Sequence, residues 1–185
     1  DEKQTAFAKK RLLQAMEHYG WRLGTGFLST PLILDVLKEI DLTAAYRLLE
    51  NEEMPGWLFM PKNGATTIWE SWEGDKTKGS GVASLDHYSK GAVCRWLFDT
   101  MCGIKVNGEN HFTIAPYPGG HFSHAGAKYN SIYGRVKSSW VRTENRIRYT
   151  ITVPPNCTAD IVLPDGSQYT QECGTVEYRQ EMEAR

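Results

Sequence analysis

Residues 84–114, SLDHYSKGAVCRWLFDTMCGIKVNGENHFTI, hold the point at which the chain changes character. Up to Met101 the apolar side chains Leu85, Tyr88, Ala92, Trp96, Leu97 and Met101 recur at helical spacing, and Gly103 supplies the stop. Ser84 and Asp86 stand where a helix cap is wanted. Beyond Gly103 the period falls to two and turn residues multiply. Phe112–Ile114, Arg135–Trp140, Arg146–Val153, Asp160–Leu163 and Thr175–Tyr178 alternate as half-buried strands do, parted by Pro118-Gly119-Gly120, Pro154-Pro155 and Asp165-Gly166. Short strands in succession with no helix between them predict an antiparallel β-sandwich. Residues from Gln180 to Arg185 read as a frayed tail.

Upstream the pattern is helical. Phe7, Leu12, Met16 and Tyr19 form one stripe, closed by Gly20. Thr30-Pro31 opens a second helix through Leu32, Leu34, Val36, Leu37 and Ile40, and Asp41 caps a third through Leu42, Ala45, Tyr46, Leu48 and Leu49. The fold class expected is α+β: helical hairpins over residues 1–103 and a sandwich over residues 104–185.

The chain has 185 residues, 41% of them hydrophobic, and a formal net charge of −1, which is enough apolar material to bury a core. With no block of Lys and Arg, it lacks the concentrated basic patch that a nucleic acid or an anionic membrane requires, so neither is expected as a partner. No apolar run reaches the ~18 residues of a membrane span. The first residues, DEKQTAFAKK, show no leader and read as an excision from something longer. The four cysteines form no CxxC pair, so zinc is not expected. Cys94 and Cys102 read as core thiols. Cys157 and Cys173 could bridge only in an oxidising compartment.

The chemistry is expected between the third and fourth helices, over residues 54–87. This long Gly- and Pro-rich connection carries Trp57, Trp69 and Trp72, half of the six tryptophans. A single indole suits a core as well as a sugar ring, but three around a carboxylate in a surface loop point to a binding site. Glu70, in TTIWESW, lies between Trp69 and Trp72. Apolar rings there would favour its protonated form unless a donor compensates, and such a group can move a proton near neutral pH. Spacing alone reads equally as a surface Glu in a turn. His87 at the helix start is either a structural hydrogen-bonder or, with Glu70, a holder of a sugar hydroxyl. Glu73 and Asp75, beside Gly74, read as solvated turn residues. No GxxxxGK, GxSxG or HExxH motif supports a nucleotide, serine-hydrolase or zinc-protease reading.

An ordered set of segments carries a resemblance. TGFLSTPLILDVL at 25–37, AYRLLENEEMPGWLFM at 45–60, GATTIWESWEGD at 64–75, SLDHYSKGAVCRWLFDTMCGI at 84–104, IAPYPGG at 114–120, KYNSIYGRVKSSW at 128–140 and TVPPNCTADIVLP at 152–164 closely resemble the C-terminal part of bacterial α-L-rhamnosidases. The resemblance implies the last helices of an (α/α)6 barrel followed by a β-sandwich, and an inverting hydrolysis of terminal α-L-rhamnose from glycosides or polysaccharides. It implies that Glu70 is the general base, that His87 contacts the sugar, and that Trp69 and Trp72 line the site. Asp86 departs from the family's Asn and adds a charge near the sugar. The family's general acid lies in an upstream motif that nothing in this chain resembles. The isolated chain is therefore expected to be inactive, to need no cofactor or metal, and to self-associate through the open face of a truncated barrel. The alternative is a non-catalytic carbohydrate-binding or structural module.

Overall fold

The computed structural model describes residues 1–74 and 83–182. It divides into two compact units, Asp1–Val93 and Cys94–Arg185, the division falling ten residues before Gly103.

The first unit is helical. Helix α1 (Glu2–His18) is capped by the Asp1 carboxylate and ends at Gly20, whose φ of 68° meets the expected stop. Only Met16 of α1 is buried. Its end is tied down by Glu17, which accepts from Trp21 Nε1 at 2.7 Å and pairs with Arg47 at 3.1 Å. Helix α2 (Ile33–Ile40) begins later than Thr30-Pro31 suggested. The Thr30 hydroxyl donates back to Gly26 O at 2.9 Å, so it closes a preceding turn and caps nothing. Helix α3 (Leu42–Leu49) starts on Asp41, whose carboxylate accepts from Thr43 N at 2.8 Å. Leu34 and Leu37 of α2 join Ala44, Ala45, Tyr46, Leu48 and Leu49 of α3 among the buried residues, as does Met60 of the short helix α4 (Phe59–Lys62).

The expected fourth helix is broken into α5 (Tyr88–Gly91), α6 (Val93–Trp96) and a wider π-helical turn, Leu97–Met101. Asp86 does not cap it: the chain is extended at His87, and no side chain bonds the first turn. Leu85 and Tyr88 are exposed; the buried stripe runs through Ser89, Lys90, Val93, Trp96, Thr100 and Met101. Cys94, expected in the core, is therefore on the exposed side.

The second unit contains two four-stranded sheets. One has β1 (Ile104–Val106), β2 (His111–Ile114), β6 (Thr158–Val162) and β7 (Gln168–Gln171) in the order β1-β2-β6-β7. The other has β3 (His124–Ser131), β4 (Gly134–Arg142), β5 (Arg146–Val153) and β8 (Gly174–Glu181) in the order β3-β4-β5-β8. All pairs are antiparallel except β2 with β6, which run parallel, a departure from the expected pattern. Phe112, Ile114, Ala159 and Ile161 of the first sheet, with Val136, Trp140, Tyr149 and Ile151 of the second, are fully buried. Contact between the sheets is direct, the Tyr169 and Tyr178 rings lying 4.4 Å apart. Gln180 and Glu181 do not fray. They pair with Ile147 and Arg146 in the β5–β8 ladder, while residues 183–185 lie outside the described chain. Cys157 is buried and Cys173 exposed, and both are free, so the conditional bridge is not formed.

After the π-helical turn the four consecutive carbonyls of Thr100 to Gly103 each accept a hydrogen bond. Thr100 O accepts from Tyr117 N at 3.0 Å and Gly103 O from Ala115 N at 2.8 Å. Met101 O accepts from Trp140 Nε1 at 2.9 Å and Cys102 O from the Ser138 hydroxyl at 2.6 Å. A helix end leaves such carbonyls without intrahelical partners, and β4 supplies two of the missing donors from side chains. Gly103 has φ of 78°, and a Cβ there would stand 2.2 Å from Ala115 C, so only glycine fits.

Candidate functional site

The Trp-rich connection is laced to the start of α5. Glu70 N donates to Ser84 O and His87 N to Ile68 O, each at 2.8 Å, and the Thr67 hydroxyl donates to Leu85 O. Two of these bonds engage the Ser84 and Leu85 carbonyls that a helix starting at Ser84 would have used, and the third satisfies the His87 N–H from outside, in keeping with a start of α5 at Tyr88. They also bring Glu70 and His87, seventeen positions apart in sequence, onto adjoining segments.

Glu70 is half-buried. Its Oε2 accepts from Ser84 N at 2.8 Å, while Oε1 has no hydrogen-bond partner among the described residues. The same amide bond fixes the carboxylate's direction and leaves the lone pairs of the other oxygen unengaged among the described residues. His87 packs its ring 4.7 Å from Phe27 and 5.1 Å from Tyr88, and its buried Nδ1 has no hydrogen-bond partner among the described residues. Asp86 is exposed, its backbone N–H donating to the Ser84 hydroxyl at 3.1 Å.

The three tryptophans divide. Trp57 is 3% exposed and donates from Nε1 to Lys90 O at 3.0 Å, so it belongs to the core. Trp69 and Trp72 are half-buried beside Glu70. Trp69 packs its six-membered ring against Gly74, where a Cβ would come within 2.8 Å of it; φ there is 66°. Trp72 carries the Lys90 ammonium 3.8 Å above its ring centroid. Each indole thus has part of its surface taken by the chain itself. Glu73 is exposed at the turn, and Asp75 lies outside the described residues.

Lys90 is the residue sequence reading missed. It is 5% exposed, and Nζ donates to Glu70 O. Burial pushes its ammonium down from 10.5 to about 8, with the Glu70 charge pulling the other way. The available signal was a lysine beside the buried positions Ser89 and Val93, but its partners lie eighteen and twenty residues away. Among the described residues no group of three or more His, Cys, Asp or Glu side chains is placed to hold a metal ion, and no helix is long and apolar enough to cross a membrane.

Comparison with known proteins gives concordant matches. Residues 1–101 match the family model of the bacterial α-L-rhamnosidase 6 hairpin glycosidase domain, and residues 106–176 that of the bacterial α-L-rhamnosidase C-terminal domain. An α-L-rhamnosidase of Formosa agariphila is 38% identical over 164 residues, which cover 85% of this chain and 18% of that protein. The native α-L-rhamnosidase of Aspergillus terreus superposes with a TM-score of 0.86 at 29% identity, over 97% of this chain and 22% of its own. The Streptomyces avermitilis α-L-rhamnosidase complexed with L-rhamnose gives 0.82 at 30% identity, over 94% and 19%. The chain thus spans less than a quarter of the length of these relatives.

Proposed function

The chain belongs to the bacterial α-L-rhamnosidase family, and from that premise we propose that it is part of an inverting glycoside hydrolase in which Glu70 activates the water that displaces the aglycone from a terminal α-L-rhamnose. Residues 1–103 are the C-terminal portion of the catalytic helical barrel and residues 104–185 the sandwich that follows it. The substrate is a rhamnose-containing glycoside or polysaccharide. The isolated chain has, in addition, a second copy of itself as partner.

The observation that carries the reading is the hold on one carboxylate. Glu70 is fixed through Oε2 by the Ser84 amide, flanked by Trp69 and Trp72, and laced to the segment bearing His87. In a single displacement Oε1 takes a proton from water as its oxygen bonds to the anomeric carbon. The glycosidic bond breaks, and a second carboxyl, from outside this chain, protonates the leaving oxygen. Such pairs stand ~6.5–9.5 Å apart, which leaves room for the water. The indole faces exclude bulk solvent, and His87 orients a sugar hydroxyl.

The test is Glu70→Gln in the full-length enzyme that carries this chain. The fold is kept, and turnover of an aryl α-L-rhamnoside drops at least ~10²- to 10⁴-fold, the usual share of general acid–base catalysis. Proton NMR of the wild-type reaction shows β-rhamnose released first. Undiminished turnover removes Glu70 from the role and favours a non-catalytic carbohydrate-binding module; α-rhamnose released first removes inversion.

A further inference from the structure

A charge this well buried calls for a reason. Lys90 is 5% exposed, and a leucine or methionine would fill comparable space without the cost of desolvating an ammonium. The stem of Lys90 leaves α5 at a point fixed from behind, because its own carbonyl accepts from the buried Trp57 Nε1 at 3.0 Å. Its tip makes two contacts, and both fall on the segment that carries Glu70. Nζ donates to the Glu70 carbonyl and stands 3.8 Å over the Trp72 ring. The first is a charge-assisted hydrogen bond and the second a cation–π contact, the two interactions best able to repay part of the desolvation.

The consequence is geometric. The side chain of Glu70 is held at one end by the Ser84 amide on Oε2. Its backbone is held at the N–H by Ser84 O and at the carbonyl by Lys90. Without Lys90, the peptide between Glu70 and Ser71 loses the only donor to the Glu70 carbonyl among the described residues, and Trp72 loses the group seated on its face. Resting on the reading of Glu70 as general base, we propose that Lys90 is a positioning residue that fixes the Glu70–Trp72 segment so that the carboxylate is aimed at the attacking water. Lys90 acts through Glu70 and does not itself touch the sugar.

The experiment is a double-mutant cycle in the full-length enzyme, with Lys90→Met, Glu70→Gln and the pair, using an aryl α-L-rhamnoside. Lys90→Met lowers kcat roughly 10- to 100-fold, the scale at which small misplacements of a reacting group are felt. KM stays within about twofold, because ground-state binding of the sugar is untouched. In the Glu70→Gln background the same substitution changes kcat by less than about twofold, since there is no base left to aim. Lys90→Arg, which retains a donor and a charge, recovers a large part of the loss. Equal losses from Lys90→Met in both backgrounds mean a merely structural role and overturn the proposal. Glu70→Gln with unimpaired turnover overturns the underlying reading instead, so the two failures are distinct. If Lys90→Met does not fold, Lys90→Gln takes its place in the cycle, keeping a donor without the charge, and the same equality or inequality of losses decides.

Discussion

At the scale of single residues the proposed site turns on a carboxylate, a histidine and a buried lysine. Lys90 titrates at about 8 in the folded chain, against an ordinary value of 10.5. Below 8 it is protonated in both folded and unfolded states, so its contribution to stability is constant. Between about 8 and 10.5 the unfolded chain binds the extra proton, and the contribution of this residue to stability rises with pH. The wild-type chain should therefore gain on Lys90→Met as pH is raised from 8 to 10, by at most about 1.4 kcal/mol per pH unit. Cys102, pushed by burial to about 11, and Tyr149, pushed up by burial, act in the opposite direction but equally in both proteins. Urea unfolding at a series of pH values measures the difference, and a gap that does not change with pH refutes the assignment. Glu70 and His87 could be singled out as candidates in the sequence because their neighbours are local: Trp69 and Trp72 for one, a helix start for the other. Lys90 was not, because nothing within four residues of it reveals the Glu70 carbonyl that it reaches.

At the scale of elements, the long connection has the larger effect on its neighbours. By bonding residues 67–70 to residues 84–87 it delays the start of α5 and turns the buried stripe away from Leu85 and Tyr88. Periodicity read along one segment has no access to that competition. Helix α3 was legible through its Asp41 cap and the end of α1 through Gly20, since each is decided within one turn of chain. Among the strands, β2, β4, β5, β6 and β8 showed in the alternation of their side chains. Strand β3, HAGAKYNS, did not, because its half-buried positions hold Ala, Ala, Tyr and Ser, which make no apolar pattern. Strand β7 is nearly all exposed and is a strand by virtue of its ladder with β6. A prediction belongs to β4. Trp140→Phe keeps most of the ring but removes the donor to Met101 O. A buried carbonyl left unpaired costs about 1–3 kcal/mol. Chemical denaturation should show a loss of that order or more, and a loss below ~0.5 kcal/mol would show that Met101 O finds another donor.

At the scale of the whole chain, the helical unit carries more apolar surface than a solvated protein of its size needs. Phe7 is 67% exposed, Leu28 89%, Leu32 56% and Tyr88 82%, and Met16 is the only buried residue of α1. In water such surface is driven to cover itself. Sedimentation velocity over a hundredfold range of concentration should show the isolated chain self-associating; a single monomeric boundary at every concentration contradicts this. The same preparation should leave an aryl α-L-rhamnoside intact, because an inverting reaction needs two carboxyls in apposition; turnover at an ordinary enzymatic rate would place both in this chain. The parallel pairing of β2 with β6 has a further consequence, for the order of events during biosynthesis. Strand β2 leaves the ribosome with only β1 to join, and its other edge waits while β3, β4 and β5 emerge, until residue 158 appears. The partner sheet can zip up hairpin by hairpin in the meantime, yet its outer edge on β5 stays bare until the closing strand, β8, is translated. A nascent polypeptide stalled before residue 158 thus holds both layers open at once, and one stalled before residue 174 has completed the first layer but still leaves the second bare at β5.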